Sequence, residues 1–307
     1  MNKQEMVVLI LFLLFWASLY LHELKFLLSA IKNRSWKSSK AALPLHAIAM
    51  IGILFLLYGY FFEPYWLAVN HVLLRTPKLK NTSFTVVQIS DLHCDQKIRN
   101  EKKLVAIINR IKPDIIVFTG DAVNDPRALG LFKGTLRDLN ASLGKFAVKG
   151  NWDVWIDDQD GLFNDTGFQE VNGRLVRVEK NGEVVFLTGL NSGSGPENLS
   201  FSEKDLKDSY SMLLCHYPGI HEELKAPSFD LYLSGHTHGG QVSLPVYGAL
   251  ITLSKYGKKY ASGKYQDGTK TIYVHNGVGM EGGHAPRIRI FSRPEIAVFQ
   301  ISPLDKH

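Results

Sequence analysis

Residues 231–241 read Leu-Tyr-Leu-Ser-Gly-His-Thr-His-Gly-Gly-Gln, an apolar run that stops at a glycine-flanked loop holding His236 and His238. A loop without bulky side chains lets two imidazoles spaced two apart face one point, which is the geometry of a metal-ligand pair. One His-x-His pair among eleven histidines has duller explanations, so its weight depends on the groups that accompany it. Those groups recur at the ends of strand-like runs. Residues 84–90 lead into Asp91-Leu92-His93, 114–119 into Gly120-Asp121, 146–148 into Gly150-Asn151-Trp152-Asp153, and 211–214 into Cys215-His216.

The elements that must position them follow from the texture of the chain after Phe84, where short β-rich runs alternate with amphipathic stretches at 102–111 and about 127–143. This is the pattern of an α/β or layered αββα domain. Such folds put their sites at the carboxyl ends of strands, so the five edges would converge on one cleft. Taken singly, Asp121 could cap a helix, Asn151 close a turn, and His216 be a hydrogen-bonded core histidine. Taken together, Asp91, His93, Asp121, Asn151, His216, His236 and His238 point to a metal centre.

The order Asp-x-His, Gly-Asp, Gly-Asn, His, Gly-His-x-His resembles that of the calcineurin-like metallophosphoesterases, over roughly residues 84–301. Gly-His-Thr-His-Gly-Gly-Gln with Leu244-Pro245 after it, and Arg293-Pro294-Glu295-Ile296 near the end, look most like the membrane-associated bacterial branch. The resemblance implies a four-layer αββα sandwich over residues 84–303 with two divalent metal ions. Asp91, His93 and His238 would hold one ion, Asn151, His216 and His236 the other, with Asp121 bridging. Carboxylate, amide and imidazole ligands together suit Mn²⁺, then Fe or Zn²⁺, better than Mg²⁺. Two such ions acidify a bridging water into a hydroxide nucleophile and neutralise the phosphoryl oxygens, so the expected reaction is phosphoester hydrolysis without a covalent protein intermediate. Asp121, Asn151, His238 and Asp153 form the expected catalytic set, with Asp153 and Asp95 orienting histidine ligands from behind.

At position 152 the family pattern has a histidine that meets the phosphate and helps the leaving oxygen depart; this chain has Trp152. Indole gives up no proton at useful pH. Either the substrate carries a good leaving group, or His284, Arg287 or Arg289 in the glycine-rich stretch 277–289 replaces it, or the centre binds without turnover. Trp152, His284, Arg287 and Arg289 are the expected substrate-binding residues, Trp152 as a stacking surface or as packing at the cleft.

Residues 1–65 read as a membrane anchor. Residues 6–21 are almost wholly apolar, and 41–62 contain no charged residue. At about 1.5 Å per residue the second run crosses a hydrocarbon core of about 30 Å. A signal peptide competes for the first run, but Lys3 stands beside Glu5 and no small-x-small cleavage pattern follows. Two retained transmembrane helices, about 6–22 and 42–62, are expected, followed by a linker over 66–83. Lys25, Lys32, Arg34, Lys37 and Lys40 between them, against Glu23, keep that loop in the cytoplasm and place the catalytic domain outside the cell membrane. Arg75, Lys78 and Lys80 pull the other way, and Tyr58, Tyr60, Tyr65 and Trp66 suit an interfacial belt.

A net charge of +6, concentrated near the N-terminus, argues against nucleic acid as a partner, and no protein partner is implied. Two cysteines, Cys94 and Cys215, make no disulfide scaffold; packing near the centre explains them better than redox chemistry. An anchored hydrolase most economically acts on a lipid-linked phosphodiester or pyrophosphate. The UDP-diacylglucosamine pyrophosphatases within the family show such an activity, though on the cytoplasmic face, opposite to the side the loop charges favour. A broad extracytoplasmic phosphomonoesterase or phosphodiesterase, and an inactive phosphate or lipid sensor, are the alternatives.

Overall fold

A computed structural model describes residues 3–156, 161–201, 203–224, 228–283 and 286–304. It opens with two helices, α1 (Lys3–Lys32) and α2 (Leu43–Phe61), each long and apolar enough to cross a membrane. Protein covers only 6% and 11% of their most apolar windows, so their side chains face outward. Helix α1 runs ten residues past the expected boundary at 22, because 23–32 is rich in Leu, Lys, Glu and Ala, all good helix formers. The helices touch where Gly52 makes room for Trp16 and Tyr20. The Tyr20 hydroxyl donates to the Ala49 carbonyl at 3.4 Å, and Glu23 meets His46 at 2.7 Å.

Helix α2 passes through one turn, Glu63–Tyr65, into β1 (Ala68–Thr76), which corrects the expected linker over 66–83. Alternation explains the strand: Leu67 and Val69 pack on one face of the sheet, Val72 and Leu74 on the other. The strand pairs in parallel with β14 (Glu295–Pro303) from Ala68↔Glu295 to Thr76↔Pro303.

Strands β2 (Phe84–Ile89), β3 (Ile115–Phe118), β4 (Gly144–Ala147) and β5 (Phe168–Glu170) complete a six-stranded sheet in the order β1-β14-β2-β3-β4-β5. A second six-stranded sheet takes β6 (Val176–Lys180), β7 (Glu183–Leu190), β8 (Tyr210–Cys215) and β9 (Leu231–Ser234). A small hairpin follows, β10 (Ser243–Leu244) with β11 (Gly248–Ala249). Strands β12 (Gly263–Asp267) and β13 (Lys270–Val274) then close the second sheet in the order β12-β13-β9-β8-β7-β6.

Phe84, Val86, Ile115 and Val117 face Leu187, Met212, Leu214 and Leu233 in the core between the sheets. Their odd-even neighbours Val87, Ile89, Ile116 and Phe118 pack outward on Leu104 and Ile108 of α3 (Glu101–Ile111) and on Phe132 and Leu136 of α4 (Leu129–Arg137). Helix α4 stops six residues before the expected end at 143. Asn109 of α3 takes over there, donating to the Asp138 carbonyl and accepting the Asn140 N–H. Among the described residues, the outer face of the second sheet carries the single-turn helices α5 (Glu203–Leu206) and α6 (Ile220–Glu223), with Phe229 and Tyr260 filling in. The αββα layering therefore holds, with one thin outer layer.

Candidate metal centre

Strands β2, β3 and β4 run parallel in one sheet, and β8 and β9 run parallel in the other. Their carboxyl ends meet. Ligand-type atoms of Asp91, His93 and His238 lie within 4.8 Å of one another, and so do those of Asp121, His216 and His236. The Asp121 Oδ2 atom stands between the two groups, 3.5 Å from His93 Nε2 and 3.2 Å from His216 Nε2. Asn151 Oδ1 is 3.0 Å from His216 Nε2, so the structure brings all seven expected side chains together.

The backbone bends hard to do this. Asp91, His93, Asp121, His236 and His238 all have positive φ, between 41° and 73°. Such conformations are rare outside glycine and are retained where a site demands them. Gly120, at φ 99°, lets the loop after β3 run against the backbone of Gly150, where any Cβ would collide.

The donor set fits cations. His93 Nε2 and His238 Nε2 stand 3.1 Å apart, and one proton at most can lie between them. His93 Nδ1 is buried without a partner among the described residues. Nitrogen and oxygen lone pairs converging in a dry pocket are costly unless a cation joins them. Burial pushes the Asp91 carboxyl up, but the charge and hydrogen bond of His238 outweigh it and hold Asp91 below the usual carboxylate range. Asp121 is likewise held low, by His216 against burial. Burial pulls His93 and His236 down to about 4. At His216 burial also pulls down, but the charge and hydrogen bond of Asp121 win and raise it to about 10.

Behind the centre, His216 Nδ1 bonds the Thr119 carbonyl at 2.8 Å, and His236 Nε2 lies 3.4 Å from the Leu253 carbonyl. Among the described residues neither Asp153 nor Asp95 is hydrogen-bonded to a histidine ring, contrary to expectation. The Asp153 carboxylate accepts the backbone N–H groups of Asp121, Ala122 and Gly150 at 2.7–2.8 Å, so it clasps two loops together. Burial and the charge of Asp121 raise it to about 7. Asp95 pairs with Arg99 and Arg287.

The expected substrate residues divide. The Trp152 ring packs edge-on against His93, centroids 5.5 Å apart, and lines the cavity above the centre. Arg287 is paired with Asp95 and partly exposed. Arg289 is no substrate residue: it is wholly buried, and its guanidinium donates to the carbonyls of Asn276, Gly279 and Ser292 and to His238 Nδ1 at 3.2 Å. It steadies His238 from behind. His284 lies outside the described residues. Cys94 and Cys215 are free and buried, which raises both thiols, Cys215 to about 12.

Two groups escaped the sequence reading. Tyr217 packs edge-on against His236 at 4.4 Å; it directly follows His216, which was the available signal. Glu281 lines the cavity beside Trp152, and its signal was a lone acid within the glycines of 277–283.

Residues 84–240 match the pattern of the family described as Calcineurin-like phosphoesterase. The chain is 34% identical over 261 residues to YkuE, an uncharacterised metallophosphoesterase of Bacillus subtilis, covering 80% of this chain and 89% of that one. It is 26% identical to the UDP-2,3-diacylglucosamine pyrophosphatase LpxG of Chlamydia muridarum, covering 83% and 95%. A transmembrane protein with a metallophosphoesterase domain from Bos taurus is 28% identical, covering 75% of this chain and 55% of that one. The matched residues contain all seven ligand-type side chains, and the chain belongs to the calcineurin-like phosphoesterases, hydrolases of phosphoric esters.

Proposed function

We propose that the chain cleaves a phosphodiester or pyrophosphate bond in a lipid-linked substrate, at a two-cation centre, while anchored in the membrane by α1 and α2. One observation carries the lipid reading. A cavity of 850 Å³ is lined by His236, His238 and Trp152 together with Leu9, Phe12 and Leu13 of α1 and Leu56 of α2. Leu250, Ile251, Ile288 and Ile290 complete an apolar lining. A hydrocarbon chain held there would stay out of water while its phosphate met the centre. The Thr252 hydroxyl donates to Glu5 of α1 at 2.7 Å, tying the helix to this wall.

Asp91, His93 and His238 would hold one ion and Asn151, His216 and His236 the other, with Asp121 shared between them. Two divalent cations supply the charge that acidifies a water and offsets the phosphoryl oxygens. Mn²⁺ suits the donor set, with Fe and Zn²⁺ next. The lipid-nucleotide activity in the name of LpxG supports the substrate class. The basic loop between the helices supports an extracytoplasmic catalytic domain.

The test uses the full chain in lipid nanodiscs with Mn²⁺ on an aryl phosphomonoester, an aryl phosphodiester and UDP-2,3-diacylglucosamine. Preference for the lipid nucleotide would support the lipid-linked reading and overturn the extracytoplasmic placement of the domain. Turnover confined to the aryl esters would replace the lipid reading with a general solute phosphoesterase. Silence on all three would leave a sensor.

A further inference from the structure

When an alkyl phosphodiester is cleaved, the leaving oxygen departs as a strongly basic alkoxide unless a proton donor stands beside it. Trp152 occupies the position where the family pattern has a histidine, and its indole N–H is a hydrogen-bond donor only. The arginines of the glycine-rich stretch do not take the role. Arg289 is committed to three carbonyls and His238, and Arg287 is bound to Asp95.

Among the described residues lining the cavity, Glu281 is the one carboxylic acid, and His236 and His238 are the other titratable groups. Its backbone N–H is fixed by the Gln241 side chain at 2.9 Å, and Gln241 is itself held to the Pro286 carbonyl at 2.7 Å. Its side chain shares the cavity with Trp152, whose ring leans on His93 and passes over Gly283. The tryptophan thus stands with an acid in the cavity that also holds His236 and His238, instead of supplying the proton itself. Burial raises this carboxyl above the ordinary glutamate value; His238 opposes the rise, and the charges of Asp121 and Asp91 add to it.

We propose that Glu281 gives its proton to the leaving oxygen, and that Trp152 is the positioning residue that aims it. The inference rests on the reading of the centre as a phosphoester hydrolase. In the step, a water oxygen bonds to phosphorus as the bond from phosphorus to the leaving oxygen breaks. The Glu281 proton passes to that oxygen, which departs as a neutral alcohol. The attacking water releases its own proton to solvent, and the Glu281 carboxylate recovers one through the open cavity.

The experiment compares two phosphodiesters that share one half and differ in the leaving group, an alkyl alcohol against a nitrophenol, on the full chain in nanodiscs with Mn²⁺. Glu281→Gln is expected to lower kcat on the alkyl ester about 10²–10⁴-fold, and on the nitrophenyl ester by at least about tenfold less. Its metal content and KM should stay close to those of the parent. Trp152→Phe should show the same selectivity at smaller size. Trp152→His in the Glu281→Gln background should restore alkyl-ester turnover. Equal losses on both esters, or none on either, would overturn the role of Glu281 while the hydrolase reading stood. A parent protein silent on every ester would overturn that reading and the proposal with it.

Discussion

Glu63 accepts the backbone N–H of Ser292 at 2.5 Å, and Ser292 donates its hydroxyl to the carbonyl of His238 at 2.5 Å. The end of the second long helix is therefore two hydrogen bonds from a residue of the metal centre. Glu63 is wholly buried and also accepts the Phe291 N–H at 2.9 Å. Glu63→Ala would leave the buried Ser292 N–H and the part-buried Phe291 N–H unpaired, at a cost of about 1–3 kcal/mol. The melting temperature of the full chain in detergent should fall, and Mn²⁺ should be retained less well on dialysis. Glu63→Gln, which keeps one acceptor oxygen, should lose less on both measures.

Asp121 faces both ligand groups, so its removal should empty the centre rather than weaken one side of it. For Asp121→Ala, turnover should drop on the order of 10³-fold or more. Elemental analysis should find both ions depleted, with the circular dichroism spectrum retained. Retention of one full equivalent would argue that the two groups do not share this carboxylate.

Chelation should abolish turnover and lower thermal stability, since anything that binds the folded state alone stabilises it. At a free ion concentration about a hundredfold above Kd the gain is about 2.7 kcal/mol. Readdition of Mn²⁺ should restore both activity and melting temperature.

Leu13 lies on the helix side of the cavity. Leu13→Trp should fill part of it and raise KM for a long-chain substrate by about tenfold, leaving an aryl diester little affected. Parallel losses on both substrates would remove the acyl chain from this cavity.

The ligands were legible because their chemistry is local. Each falls where an apolar run stops, as Asp91 and His93 do after β2 and His236 and His238 after β9. What long-range contacts decide was not legible. Arg287 and Arg289 alternate in sequence as if on a strand facing one cleft, yet residues 286–289 form none, and the carbonyls that surround Arg289 come from the preceding glycine-rich loop and from Ser292. Asp153 reads as an orienting carboxylate, but its partners are backbone N–H groups, which every residue type carries alike. Strand β1 hid because Asn70, His71 and Arg75 interrupt its alternation, as an edge strand tolerates.

Strand β1 pairs with β14 at all nine of its positions, and only the short turn at Glu63–Tyr65 and three further residues separate it from α2. A helix joined in this way is no flexible leash. Once α2 is embedded as proposed, the catalytic domain rides at one height and one heading over the bilayer, like a stylus on its arm. Finding a substrate then becomes a two-dimensional search, in which lipids drift laterally to a fixed mouth, and the rate should follow membrane fluidity and the surface density of substrate rather than its bulk concentration.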